Sequence, residues 1–172
     1  MTEDAPARPI IVIEEGLRDG AHESVVAMHG AYYAQAWRFD AFFERKVATE
    51  LAEFMSRYDR SHDRMFLALE GGRIAGSLIV DGGEPDAAAN GAHLRWFIID
   101  DQYRGRGIGR MLIGAAMDFV RTACFARCYL TTFAGLDRAR ALYERAGFKL
   151  VREAHSETWG TPVAEQFFVW TR

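Results

Sequence analysis

The sequence predicts a mixed α/β domain, an α+β sheet with one crossover unit. Apolar runs rich in β-branched residues alternate with stretches whose apolar positions recur every three or four residues. Residues 92–133 read as strand, loop, amphipathic helix and strand, a unit whose two strands, 92–99 and 127–133, must run parallel. The 172 residues suit a single core, expected over residues 9–172 behind a loose tail at residues 1–8.

Pro9 to Glu15 is β-branched and reads as the first strand. Asp19 to Trp37 is helical, with Val25, Met28, His29, Tyr32 and Ala36 on one face. A second helix follows over Asp40–Tyr58, its buried stripe Phe43, Val47, Leu51, Phe54 and Met55. Met65–Leu69 and Ile74–Val80 flank Glu70-Gly71-Gly72-Arg73 and form a hairpin. Asp81–Gly91 reads as a loop. Ala92–Ile99 is a strand, residues 109–123 a strongly amphipathic helix, and Arg127–Phe133 a strand. Asp137 is placed to cap a short helix that ends at Ala146 before Gly147. Phe148–Arg152 and Glu165–Trp170 close the order β-α-α-β-β-β-α-β-α-β-β, with antiparallel hairpins around the parallel pair.

Composition excludes several classes. The net charge of -3 carries no electrostatic footprint for nucleic acid. No apolar run reaches the ~20 residues a membrane span needs. The first residues lack the basic and apolar regions of a signal peptide, so the expected location is cytoplasmic, with no membrane partner. Cys124 and Cys128 are too few for a disulfide framework and have no nearby zinc partners, so both read as reduced, packed thiols, and no metal is expected.

The most informative stretch is Asp101-Gln102-Tyr103-Arg104-Gly105-Arg106-Gly107-Ile108-Gly109-Arg110, between a strand and a helix. Its glycines let backbone N–H groups approach a ligand closely. The helix N-terminus adds unpaired N–H groups and partial positive charge, and Arg104, Arg106 and Arg110 add full charges. This is a diphosphate cradle. It has no Gly-Lys-Ser/Thr triplet of a Walker loop, and Arg110 stands where a dinucleotide fingerprint needs glycine or alanine.

Arg104-x-x-Gly107-x-Gly109 resembles the coenzyme-A signature of the GCN5-related N-acetyltransferase (GNAT) superfamily; Gln102-x-x-Gly105-x-Gly107 also fits it two residues earlier, but the later register sets the helix directly after the last glycine, as in the family. Ala139-Arg140-Ala141-Leu142-Tyr143 through Gly147-Phe148 resembles a second segment of that superfamily, and the element order agrees. His29-Gly30-x-Tyr32, the helix with Trp37, and His155, Gly160 and Gln166 near the end resemble the acetyltransferase half of bacterial proteins that fuse a MarR-type regulator to a GNAT domain. Leu136 stands where many relatives carry an asparagine that contacts the pantetheine arm.

The resemblance implies acetyl transfer from acetyl-CoA, as co-substrate, to an amine by direct transfer in a ternary complex. A lysine-like amine has a pKa near ~10.4, so a base must take its proton. An oxyanion needs a donor, and the departing thiolate benefits from a proton. The resemblance makes Tyr143 the acid, although helical spacing by itself reads it as a core aromatic. His93 falls where protein-acetylating relatives place a glutamate, which implies a base; from its strand alone it reads as a solvent-facing histidine. Backbone N–H groups of Phe97, Ile98 and Ile99 are implied to hold the thioester carbonyl, with Ile108 completing the cofactor loop. The aromatics Tyr32, Tyr33, Trp37, Phe39, Phe42 and Phe43 fall in the region that covers the acceptor pocket in the family; of these Tyr32 and Trp37, with His29, are implied to line it, and Trp159 and His155 are weaker candidates. The acceptor is a small-molecule or protein amine, and a homodimer follows by analogy. A non-catalytic acyl-CoA sensor on the same fold stays open at this level.

Overall fold

The computed structural model describes residues 9–172, and the tail expected over residues 1–8 lies outside them. The strands are β1 (Ile11–Glu15), β2 (Arg64–Glu70), β3 (Arg73–Asp81), β4 (Ala92–Ile99), β5 (Arg127–Phe133), β6 (Lys149–Ser156) and β7 (Val163–Thr171). The helices are α1 (Ala21–Trp37), α2 (Ala41–Ser56), α3 (Ala87–Asn90), α4 (Ile108–Thr122) and α5 (Asp137–Arg145). The sheet runs β1-β2-β3-β4-β5-β7-β6. The β4–β5 pair is parallel and the hairpins are antiparallel, as the crossover argument requires.

The continuous apolar run of β2 has a simple cause: both faces of the sheet are covered. Phe66 and Ala68 pack toward α4, whereas Met65, Leu67 and Leu69 pack toward α1 and α2. Successive strand side chains point to opposite faces, so a doubly covered strand cannot afford a polar position. The α2 stripe is buried at Phe43, Val47, Leu51 and Phe54, and α4 buries Leu112, Ala116, Met117 and Val120. Each large side chain so buried stabilises the fold by roughly 1.5–3 kcal/mol.

Some local expectations change. The 81–91 loop contains the single turn α3. Leu136, not Asp137, occupies the cap position of α5, and Asp137 sits in its first turn. Ala36 is exposed. β6 continues to Ser156 because its hairpin partner β7 begins earlier, at Val163, and the ladder extends to that pair. Cys128 is buried, but Cys124 is exposed; both are free thiols.

Two features of β4 open the sheet. Its ladder with β5 consists of Ala92–Cys128 and His93–Tyr129, after which the strands part. Its register with β3 slips between Ser77 and Ile79, and Trp96 adopts φ 50°. A non-glycine residue there is a bulge residue held in place by its surroundings. The Ser77 hydroxyl donates to the Trp96 carbonyl at 2.7 Å, and that buried contact satisfies the displaced backbone. From Leu94 onward, the edge of β4 toward β5 has no strand partner among the described residues, so alternate N–H and C=O groups are free for a ligand.

Candidate active site

The parted strands hold two clefts that meet. A larger one, of about 950 Å³, runs from the Gly-rich loop to the start of α5. A smaller one, of about 340 Å³, lies on the α1 and α2 side. Tyr33, Phe97, Thr132 and Tyr143 line both, so the passage between the clefts is walled by an aromatic trio and one hydroxyl-bearing strand residue.

The loop adopts the shape its glycines permit. Gly105 and Gly107 have φ of 76° and 79°, in the left-handed region, and Gly107 caps α4. Asp100 starts the turn by accepting from the Gln102 N–H at 2.9 Å. Arg104 lines the larger cleft, lies over the Tyr32 ring at 4.3 Å and pairs with Asp101 at 2.6 Å. Gly105, Gly107, Ile108, Gly109 and Arg110 line it too, as do Phe97, Ile98 and Ile99 of β4. The Arg106 side chain turns elsewhere: it pairs with Glu70 at 2.7 Å and lies over Tyr103. Two cations the sequence reading passed over replace it. Arg138 and Arg145 of α5 line the same cleft and, like Arg110, form no ion pair among the described residues. Their spacing of seven places them on one helix face, a signal that was present.

Tyr143 stands at the junction and is buried. Its ring packs on Phe97, Phe148 and Phe168. Burial, reinforced by neighbouring Tyr33, pushes its hydroxyl well above the ordinary tyrosine value, so it keeps its proton.

His93 is held from one side. Its Nδ1 lies 2.8 Å from Glu84, its ring stacks on Tyr129 at 4.2 Å, and the Tyr129 hydroxyl donates to the same carboxylate. Arg95 also donates to Glu84 at 3.2 Å. Burial would raise the Glu84 carboxyl, but these donors outweigh it and keep it ionised. An ionised Glu84 requires the proton on His93 Nδ1, leaving the Nε2 lone pair for the smaller cleft, which His93 lines. Burial, with Arg95 nearby, lowers His93 despite the opposing pull of Glu84. No pattern in the sequence linked the loop residue Glu84 to His93.

His29 is the second imidazole of the smaller cleft. Its Nδ1 is 2.8 Å from the Val25 carbonyl, so Nδ1 carries the proton and Nε2 has no protein partner among the described residues. Burial lowers it from 6.5 to about 4. The unfolded chain therefore binds a proton that the folded chain refuses between those values. Stability is complete above about 6.5 and declines as pH falls toward 4, by about 3 kcal/mol from this residue at the limit. His29→Asn should flatten that acid decline in a series of melting temperatures. An unchanged slope would remove His29 as its source.

Tyr32 lines the larger cleft, whereas Tyr33, one full helical step from His29, reaches both. Trp37 lines neither cleft; it packs on Phe133 at 4.7 Å, and a Cβ at Gly135 would meet its ring at 2.5 Å. Trp159 lines the smaller cleft, but His155 is exposed on β6. No cluster able to hold a metal occurs among the described residues, and no helix there is long and apolar enough to cross a membrane.

The Acetyltransferase (GNAT) family pattern matches residues 26–148, a span that takes in the passage and the cradle. The chain belongs to this family. N-acetylaspartate synthetase of Danio rerio is 25% identical over 134 residues, covering 77% of this chain and 46% of that protein. The uncharacterized N-acetyltransferase YjgM of Escherichia coli is 48% identical over 46 residues, 27% of this chain and 28% of its own. The chain thus spans about half or less of the curated relatives it matches. Among solved structures, ribosomal-protein-alanine N-acetyltransferase from Brucella melitensis superposes with a TM-score of 0.75 at 15% identity, covering 94% of this chain and 99% of that one. An acetyltransferase from Streptococcus agalactiae gives 0.70 at 21% identity, covering 94% and 98%. At these identities the structural likeness shows the GNAT fold.

Proposed function

We propose that this GNAT domain transfers an acetyl group from acetyl-CoA directly to an amine, both bound at once. The observation that carries the reading is the junction: Tyr143 and Phe97 stand where a basic cleft headed by a glycine cradle meets an amine-sized pocket. Arg110, Arg138 and Arg145 suit the phosphates of the coenzyme, and the loop N–H groups suit its diphosphate. The unpaired edge of β4 suits the amides of its pantetheine arm.

The chain's own groups divide the chemistry. His93 Nε2 takes the proton of the attacking ammonium, directly or through a water in the smaller cleft. Backbone N–H groups at Phe97, next to the Trp96 bulge, stabilise the negative oxygen as the amine adds to the thioester. The Tyr143 hydroxyl gives its proton to the departing sulfur and takes one back from the new amide nitrogen, directly or through water, so a thiol leaves and an amide remains. Packing of both reactants into adjoining clefts supplies proximity.

Thermal unfolding with acetyl-CoA, CoA, NAD and ATP, each alone, tests the cradle. At ~100 times the dissociation constant, a native-state ligand adds about 2.7 kcal/mol. A clear rise with the two coenzyme-A species alone is expected, and no rise with either would overturn the reading. Thiol release with an amine then distinguishes an enzyme from a sensor. His93→Gln should lower kcat/KM by roughly 100-fold and abolish an acid limb whose midpoint lies below 6.5. A variant that keeps the limb would exclude His93 as its origin.

A further inference from the structure

The smaller cleft has an unusual charge balance. Its cations are Lys46 and Arg95, and its carboxylates are Glu50, Glu84 and Glu165. Both cations are already committed. Lys46 pairs with Glu50; Arg95 pairs with Glu50 at 2.7 Å and with Asp81 and Glu84 at 3.2 Å. Asp81 is in turn held by Arg57 at 2.6 Å. Glu165 differs: its carboxylate accepts from the Trp159 indole N–H at 3.0 Å and forms no ion pair among the described residues. It is the cleft's uncompensated negative charge.

A cluster of aromatic rings adjoins that charge through Trp159 and Phe133. Trp159 lies 6.0 Å from Phe43 and 6.2 Å from Phe133, and Tyr33 packs on both phenylalanines at 4.8 and 5.7 Å. Register places Glu165 directly across from Phe133, so both side chains project from one face of the sheet. Electron-rich ring faces around a carboxylate attract an ammonium group. His29 adds a second feature aimed at a ligand. It is 5% exposed, lines the cleft, and offers an unpartnered Nε2 acceptor to an N–H donor.

We propose that the acceptor is a small diamine, whose reacting nitrogen lies at the Tyr143 junction and whose second, ammonium nitrogen is held by Glu165, the Trp159–Phe43–Phe133 rings and His29. This rests on the acetyltransferase reading and specifies its substrate class. The committed cations also leave nothing to receive an acceptor carboxylate, so amino acids are disfavoured.

Calorimetric titration of the CoA-loaded protein with putrescine, butylamine and γ-aminobutyrate tests this without requiring turnover. Putrescine should bind at least tenfold more tightly than butylamine, and γ-aminobutyrate more weakly than either. Glu165→Gln, which keeps an acceptor for the Trp159 indole, should reduce putrescine to the affinity of butylamine and leave butylamine unchanged. Trp159→Leu should weaken putrescine selectively as well. Equal binding of the two amines, binding of none, or a putrescine preference that survives Glu165→Gln would overturn the proposal. CoA binding measured before amine addition reads the acetyltransferase assignment separately: if CoA binds and the amine preference is absent, the substrate class alone fails.

Discussion

Tyr143→Phe should lower kcat by roughly 100-fold while leaving the dissociation constant of acetyl-CoA unchanged. The substitution removes one hydroxyl and keeps the ring, so the contacts with Phe97, Phe148 and Phe168 survive. The hydroxyl is held protonated by burial and by Tyr33, which suits a donor to a leaving thiolate. The loss should therefore be nearly constant from neutral pH to pH about 9, a range in which an ordinary tyrosine also keeps its proton. The measurement is a steady-state rate by thiol release across that range, beside a binding titration. Unaltered turnover would remove Tyr143 from the chemistry and leave it as a wall of the passage.

Gly107→Val should reduce affinity for acetyl-CoA by at least 100-fold. Gly107 sits at φ 79°, where a β-branched residue is strained by at least the 1–2 kcal/mol typical of that region. No atom of the described residues lies within 4 Å of a Cβ built there, so no steric clash with them adds to the strain. The melting temperature should consequently fall by only several degrees. The affinity loss arises separately, because the added methyl groups occupy the space above the loop N–H groups and shift the loop. Gly114→Ala on α4 is the control: its Cβ also meets nothing, its φ is not positive, and it lines neither cleft. Retained binding in Gly107→Val would mean the loop is a structural turn.

The elements were legible because their periodicities were strong. The stripe Leu112, Ala115, Ala116, Phe119, Val120 and Ala123 has one reading as a helix, and the apolar runs Met65–Leu69 and Ile74–Val80 around two glycines have one as a hairpin. The glycine loop was legible for a related reason: closely spaced glycines between a strand and a helix mark a turn of positive φ, and Gly105 and Gly107 adopt it. Arg106 shows the limit. Its type and position matched Arg104 and Arg110, but whether a loop side chain faces a cleft or a neighbouring strand depends on Glu70, thirty-six residues earlier. Trp37 shows it again, since an aromatic on the helix that covers the pocket packs instead over Gly135. Tyr33 was among the aromatics of that region but could not be told from Tyr32, because adjacent tyrosines at three and four residues from His29 both satisfy the spacing.

By itself, then, the amino-acid sequence determined the α/β order, the parallel crossover and the glycine loop at the start of α4. These are local, periodic or short-range properties, governed by backbone sterics and by which face of an element is apolar. Tertiary structure decided the rest. It parted β4 from β5, brought Tyr143 to the junction, set Glu84 behind His93, and left Glu165 beside aromatic rings with no cation among the described residues. Those relations join residues distant in the chain, and charge compensation is a property of neighbours in space that no single stretch of sequence carries.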